Sequence, residues 1–211
     1  IRRQFRLVEG DPFNPREIRQ SAERIRALGL FANAEVTARE GSSPDRVIVD
    51  VDVEEQPTGS LSFGLNYSTD DGIGAAISFS ERNFLGRGQA VRFSLESGSD
   101  RSNYGFTFIE PAFLDRDLRL GLSAYLRQTE RNTDLSESYD TSRLGFAPSL
   151  QFPVGENSRL GVRYLIEEDE ISGISATDTS AIIKGDEGTR LTSAIGYTYT
   201  YDTRRGGLDP D

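Results

Sequence analysis

From Ser60 onward the chain alternates between apolar and small polar positions. Leu61, Phe63, Leu65 and Tyr67 alternate with Ser60, Ser62, Gly64, Asn66 and Ser68. After Thr69-Asp70-Asp71-Gly72, the alternation resumes with Ile73, Ala75, Ile77 and Phe79 against Gly74, Ala76, Ser78 and Ser80. Period two predicts strands with one apolar and one polar face, and Asp71-Gly72 predicts a hairpin between them.

Six further runs repeat the device, giving eight strand candidates. Apolar positions are Val91, Phe93 and Leu95 in the third, and Tyr104, Phe106 and Phe108 in the fourth. The fifth has Leu118, Leu120, Leu122, Ala124 and Leu126, and the sixth Leu144, Phe146, Leu150 and Phe152. The seventh has Leu160, Val162, Tyr164 and Ile166; the eighth has Leu191, Ile195, Tyr197, Tyr199 and Tyr201. Pro148 lies inside the sixth, where it predicts a bulge or a weak ladder. Most runs have the length that roughly 9–11 residues of tilted strand give for crossing a bilayer.

Residues 1–56 follow another pattern. Ile1, Phe5 and Val8 recur at helical spacing and predict the end of a helix closed by Gly10. Asn14-Pro15-Arg16-Glu17 is a helix start: a capping side chain, proline at the first helical position, and a glutamate three residues after the cap. Ile18, Ala22, Ile25 and Leu28 form the apolar face, and Gly29 stops the helix. Ala34-Val36-Ala38 and Val47-Val49-Val51-Val53 predict two strands joined at Ser43-Pro44-Asp45. The result is a small α+β module, and a further strand is expected before Ile1, because two strands alone are marginal. Gln56-Pro57-Thr58-Gly59 marks a boundary between residues 1–56 and 57–211.

The long region reads as half of an antiparallel transmembrane β-barrel. Small polar residues face inward, large apolar ones outward, and aromatics such as Tyr67, Phe79, Phe152 and Tyr201 sit toward strand ends as an interfacial girdle. The connections Glu81 to Gly88, Pro111 to Asp117 and Pro153 to Asn157 are mostly shorter than those on the opposite side, which include Glu130 to Tyr139 and an acidic loop from Glu167 to Gly188. Short turns then face the periplasm and long loops the exterior. The alternative is a soluble β-sandwich or lipocalin-like barrel with its apolar face inward.

Composition narrows the chemistry. Among 211 residues the net charge is -10, which argues against a nucleic-acid partner. There is no Cys, His, Met or Trp, so thiol and imidazole catalysis and most zinc sites are excluded. No run approaches the ~18 apolar residues of a transmembrane helix. The chain opens without Met and stops abruptly at Asp209-Pro210-Asp211, which reads as an excised piece of a longer protein.

Four segments resemble the BamA-like outer-membrane assembly factors of the bacterial surface antigen superfamily. Arg26-Ala27-Leu28-Gly29-Leu30-Phe31-Ala32-Asn33-Ala34-Glu35-Val36 is similar to the helix-to-strand passage of the family's POTRA modules. Asn83-Phe84-Leu85-Gly86-Arg87-Gly88 resembles the turn after the second barrel strand, and Glu110-Pro111-Ala112-Phe113 the end of the fourth. Asp202-Thr203-Arg204-Arg205-Gly206-Gly207-Leu208-Asp209-Pro210 resembles the segment after the eighth. The resemblance implies a last POTRA module in the periplasm followed by the N-terminal half of a barrel in a bacterial outer membrane. It implies folding and insertion of outer-membrane β-barrel clients, with outer-membrane lipid and accessory lipoproteins as partners. The alternatives are a polypeptide-exporting relative of the two-partner secretion type and a passive porin-like channel.

No catalytic constellation, cofactor site or metal site is expected. Glu167-Glu168-Asp169-Glu170 lacks calcium-loop spacing and is expected to be a solvated loop. Gly72-Ile73-Gly74 and Gly86-Arg87-Gly88 lack the strand–loop–helix setting of a phosphate cradle. Arg92, Arg119, Arg143, Arg159 and Arg163, with Glu96 and Glu167, are expected to line the lumen. The expected functional surface is the edge of the first strand, Leu61, Ser62, Phe63, Gly64, Leu65, Asn66 and Tyr67, offering backbone groups to a client strand. Gly64 and small neighbours leave its register weakly pinned.

Overall fold

The computed structural model describes residues 1–43, 46–69, 72–131, 139–174 and 184–203. Two compact units divide the chain, Ile1–Thr58 and Gly59–Asp211.

In the first unit, helix α1 (Pro15–Ala27) starts as the capping residues dictate: Asn14 Oδ1 accepts from Arg16 N–H at 3.1 Å. Glu17 does not complete the expected reciprocal cap; it lies 3.9 Å from Arg24, and its buried Oε2 has no hydrogen-bond partner. Ile18, Ser21, Ala22 and Ile25 are buried, whereas Leu28 caps the C-terminus and is exposed. Strands β1 (Phe31–Glu40) and β2 (Val47–Glu55) pair antiparallel, and Ala34 is buried. The helix expected at the N-terminus is absent: only Arg2–Gln4 form a single 3-10 turn. Arg24 holds this turn with a 2.8 Å bond to the Gln4 carbonyl. Beyond Val8 the backbone turns through Gly10 at φ +101, a value a helix cannot contain. Gln56, read as part of the boundary, closes the first unit through its side chain on the Gly29 carbonyl at 3.0 Å.

The second unit is one antiparallel sheet of eight strands: β3 (Gly59–Ser68), β4 (Gly72–Phe84), β5 (Gln89–Ser97), β6 (Arg101–Glu110), β7 (Arg119–Thr129), β8 (Asp140–Gly155), β9 (Ser158–Ser172) and β10 (Gly188–Tyr201). Neighbours in sequence are neighbours in the sheet, so the chain meanders, and β3 and β10 form its two ends. Register puts Leu61, Phe79, Phe93, Phe106, Ala124, Phe146 and Ile166 in one cross-strand row. The adjacent row on the other face is Ser62, Ser78, Ser94, Gly105, Tyr125, Gly145, Glu167 and Thr192. Period-two alternation therefore sorts the middle rows of the sheet into one apolar and one polar face, and toward the far ends of β8, β9 and β10 polar residues such as Ser142, Glu168 and Glu170 take the first face too.

Three expectations need correction. Glu167, Glu168, Asp169 and Glu170 are not a solvated loop; they lie in β9, paired on both sides with β8 and β10. The connection is thus Gly173 to Glu187, and the opposite-side connections after β3 and β5 are short, so length alternation is confined to the later hairpins. Phe79 is not at a strand end, because β4 continues to Phe84. At Pro148 the weak ladder is what forms, without a bulge: pairing of β8 with β9 skips from Phe146–Ile166 to Ser149–Arg163 without a register change. The missing proline N–H breaks the rungs while the count is kept. The register shift comes later, between Pro153 and Gly155. Asp70 and Asp71 of the hairpin, Pro44 and Asp45, most of Glu130 to Tyr139, and Arg204 to Asp211 lie outside the described residues.

Candidate functional site: an open strand edge beside a bare apolar face

The seven expected edge residues all lie in β3. This strand pairs over its full length with β4, from Gly59–Glu81 to Ser68–Gly72, and with no other strand among the described residues. Its second edge therefore presents N–H and C=O groups without a ladder partner. Phe63 and Leu65 are 72% and 85% exposed. Ser62, Gly64 and Asn66 oppose Ser78, Ala76 and Gly74. The space beside Gly74 is filled by the Asn66 side chain, which is why a Cβ there has no room. On this face the small residues leave attachment to the backbone rungs, while on the apolar face Leu61, Phe63 and Tyr67 oppose Phe79, Ile77 and Ile73. Strand β10 ends the sheet on the other side, with Tyr197 82% exposed.

The polar face carries a network that the sequence pattern did not single out. The Tyr125 hydroxyl donates to Glu167, and Arg143 Nε donates to Asp169 Oδ1 and lies 3.8 Å from Glu167 Oε1. Arg127 stacks over the Tyr125 ring at 4.8 Å. A Cβ at Gly145 would run into that ring, so glycine here makes the space in which tyrosine lies flat. The one signal in the sequence was an aromatic at an inward position of β7, in register with glycines on both neighbouring strands. Of the expected lumen charges, Arg143 and Glu167 belong to this network, and Arg159 grips Asp117 through both terminal nitrogens at 2.7 and 3.2 Å. Arg92, Arg119 and Arg163 share the polar face by register but join no such network. Among the described residues no group of acidic side chains is arranged to hold a metal ion.

The apolar face is bare. Phe63, Phe93, Phe106, Phe146, Val162 and Tyr164 are all exposed, and among the described residues of the second unit no helix or second sheet packs over them. A soluble sandwich or lipocalin-like barrel buries this face, so that alternative fails. Exposed aromatic and aliphatic side chains in adjoining rows of one face mark an interaction surface rather than a water-facing one. With polar residues on the opposite face, the sheet has the two-sided pattern of an outer-membrane barrel wall.

An α+β module joined to such a wall defines a class: POTRA-bearing outer-membrane β-barrel proteins. Residues 83–211 match the model of the Omp85 superfamily domain, and residues 1–56 match a POTRA model described as a surface antigen variable number repeat. The chain belongs to the Omp85 superfamily. It is 29% identical over 203 residues to the outer membrane protein assembly factor BamA of Nitratidesulfovibrio vulgaris, covering 96% of this chain and 25% of the relative. It is 28% identical over 198 residues to the corresponding factor of Neorickettsia risticii, covering 94% and 26%. The chain thus spans about a quarter of the length of these relatives. The crystal structure of Haemophilus ducreyi BamA lacking POTRA domains 1-3 superposes with a TM-score of 0.71 at 19% identity, over 99% of this chain and 42% of that one.

Proposed function

We propose that the longer protein containing this chain folds and inserts β-barrel proteins into a bacterial outer membrane, with the POTRA module in the periplasm. The observations that carry this reading are the match of residues 83–211 to the Omp85 superfamily domain and the place of β3 as the first strand of the sheet, paired only with β4 among the described residues. A backbone edge at the border of lipid recruits strands strongly, because each unsatisfied N–H or C=O there costs several kcal/mol. A client strand adds to β3 by main-chain pairing, so clients of different sequence are accepted. The work is strand exchange and needs neither cofactor nor covalent catalysis. The first unit collects clients and accessory lipoproteins. A passive porin has no use for this unit.

Disulfide capture tests the reading. Cysteines placed singly from Leu61 to Tyr67 of the full-length protein should trap cysteines in a terminal strand of a stalled client, in a regular antiparallel register. Cysteines in β6, which is paired on both sides, provide the background. Capture at β3 no stronger than at β6 contradicts the reading.

A further inference from the structure

Two of the short turns are copies of one another. Glu81-Arg82-Asn83-Phe84-Leu85-Gly86-Arg87 and Glu110-Pro111-Ala112-Phe113-Leu114-Asp115-Arg116 share Glu, Phe, Leu and Arg at identical spacing. Their backbones also match. Glu81 Oε1 accepts from Asn83 N–H at 2.7 Å, and Glu110 Oε1 from Ala112 N–H at 2.9 Å. Gly86 and Arg87 N–H donate to the Asn83 and Phe84 carbonyls at 2.9 and 3.2 Å; Asp115 and Arg116 N–H donate to those of Ala112 and Phe113 at 3.1 and 3.2 Å.

The leucine is the odd residue in both copies. Leu85 has φ 55 and Leu114 φ 57, a left-handed conformation that a branched apolar side chain disfavours and glycine would adopt freely. Neither leucine gains packing in return, since they are 73% and 70% exposed. Arg87 and Arg116 are also exposed, and among the described residues their side chains make no hydrogen bond or ion pair. The third short turn, Glu156–Asn157, lacks the pattern, and the neighbouring Arg159 is taken by Asp117.

Register shows what the turns continue. Phe84 opposes Gln89, and Glu110 opposes Leu120, both on the apolar face. At these turns the carboxylates of Glu81 and Glu110, which fall on this face, are bound to turn N–H groups. The apolar side chains therefore run past the last rungs at the end where the chain enters β3 at Gly59. An aliphatic side chain with a free guanidinium two residues later matches the border between acyl chains and phosphates.

We propose that the two Glu-x-x-Phe-Leu-x-Arg turns are paired membrane-interface anchors. Leu85 and Leu114 enter the acyl boundary of the phospholipid surface at the short-turn end, and Arg87 and Arg116 hold lipid phosphates. This rests on the outer-membrane reading above, and its test separates the two. The full-length protein, carrying L85C, L114C, L122C or S123C as its sole cysteine, is labelled with an environment-sensitive NBD probe in phosphatidylglycerol-containing vesicles without other proteins. Probes at Leu85 and Leu114 should emit to the blue of the Ser123 probe, resist iodide several-fold better, and be quenched most by lipids with a spin label near the headgroup. The Leu122 probe should be quenched most by deep labels. Adding R87Q and R116Q should make the Leu85 probe clearly more accessible to iodide; no change removes phosphate binding from the proposal. Iodide-accessible probes at Leu85 and Leu114, with Leu122 still in lipid, overturn the anchors and leave the turns to a protein partner. A Leu122 probe that meets iodide rather than lipid overturns the outer-membrane reading itself.

Discussion

The two units bury opposite kinds of residue. In Ile1–Thr58 the covered side chains are those of a water-soluble core: Ile18, Ala22 and Ala34, with Ile25 at 0% exposure. In Gly59–Asp211 the buried positions among the described residues are Gly74, Gly145 and Ala147, all on the polar face, while Phe63, Leu65, Phe93, Phe106 and Phe146 of the other face are exposed. Both patterns follow from side-chain periodicity. They differ in what covers the apolar side: a helix in the first unit, and in the second no element among its own described residues. One sequence thus contains a module organised for water and a wall organised for lipid.

The sharpest way to break this contrast is to mutate matched sites. Ile25→Ala should destabilise the first unit by about 2–5 kcal/mol, and the loss should be the same in detergent and in lipid, as read by denaturant unfolding of the full-length protein. Leu122→Arg on the bare face should cost about 2–4 kcal/mol if it lies near the bilayer midplane, and Ser123→Arg on the polar face well under that. Folding titrations into vesicles measure both, and equal costs would erase the distinction between faces. A smaller effect is expected where the polar face is tightest. Gly145→Ala should cost about 1–3 kcal/mol, because its methyl group displaces the Tyr125 ring from Glu167. Combined with Tyr125→Ala, the penalty should largely vanish, and a double-mutant cycle measures that coupling.

The strands and their faces were legible in the sequence because alternation continues through nearly every run, from Leu61 to Tyr201. The cap at Asn14 was legible because one side chain satisfies one local donor. What escaped depended on neighbours distant in sequence. Glu167 to Glu170 look like a loop when read alone, but they form strand because β8 and β10 supply rungs on both sides. The N-terminal apolar spacing suggested a helix, yet only a 3-10 turn forms, tied down by Arg24. Tyr125 acquires its role from Gly145 and Glu167. The β3 residues were located by pattern, and their open edge became visible only in the order of the sheet.

The central claim, that the open edge of β3 templates client strands, is tested most directly by removing its donors one at a time. Proline replaces each residue from Ser62 to Asn66 in the full-length protein, since proline deletes an N–H and fixes its own φ near -65°. Alanine at the same positions keeps the N–H. Each variant that folds normally is assayed for insertion of a client barrel into liposomes. Proline at positions whose N–H points away from β4 should slow insertion strongly, with alanine close to wild type. Wild-type insertion rates for every correctly folded proline variant would contradict the account.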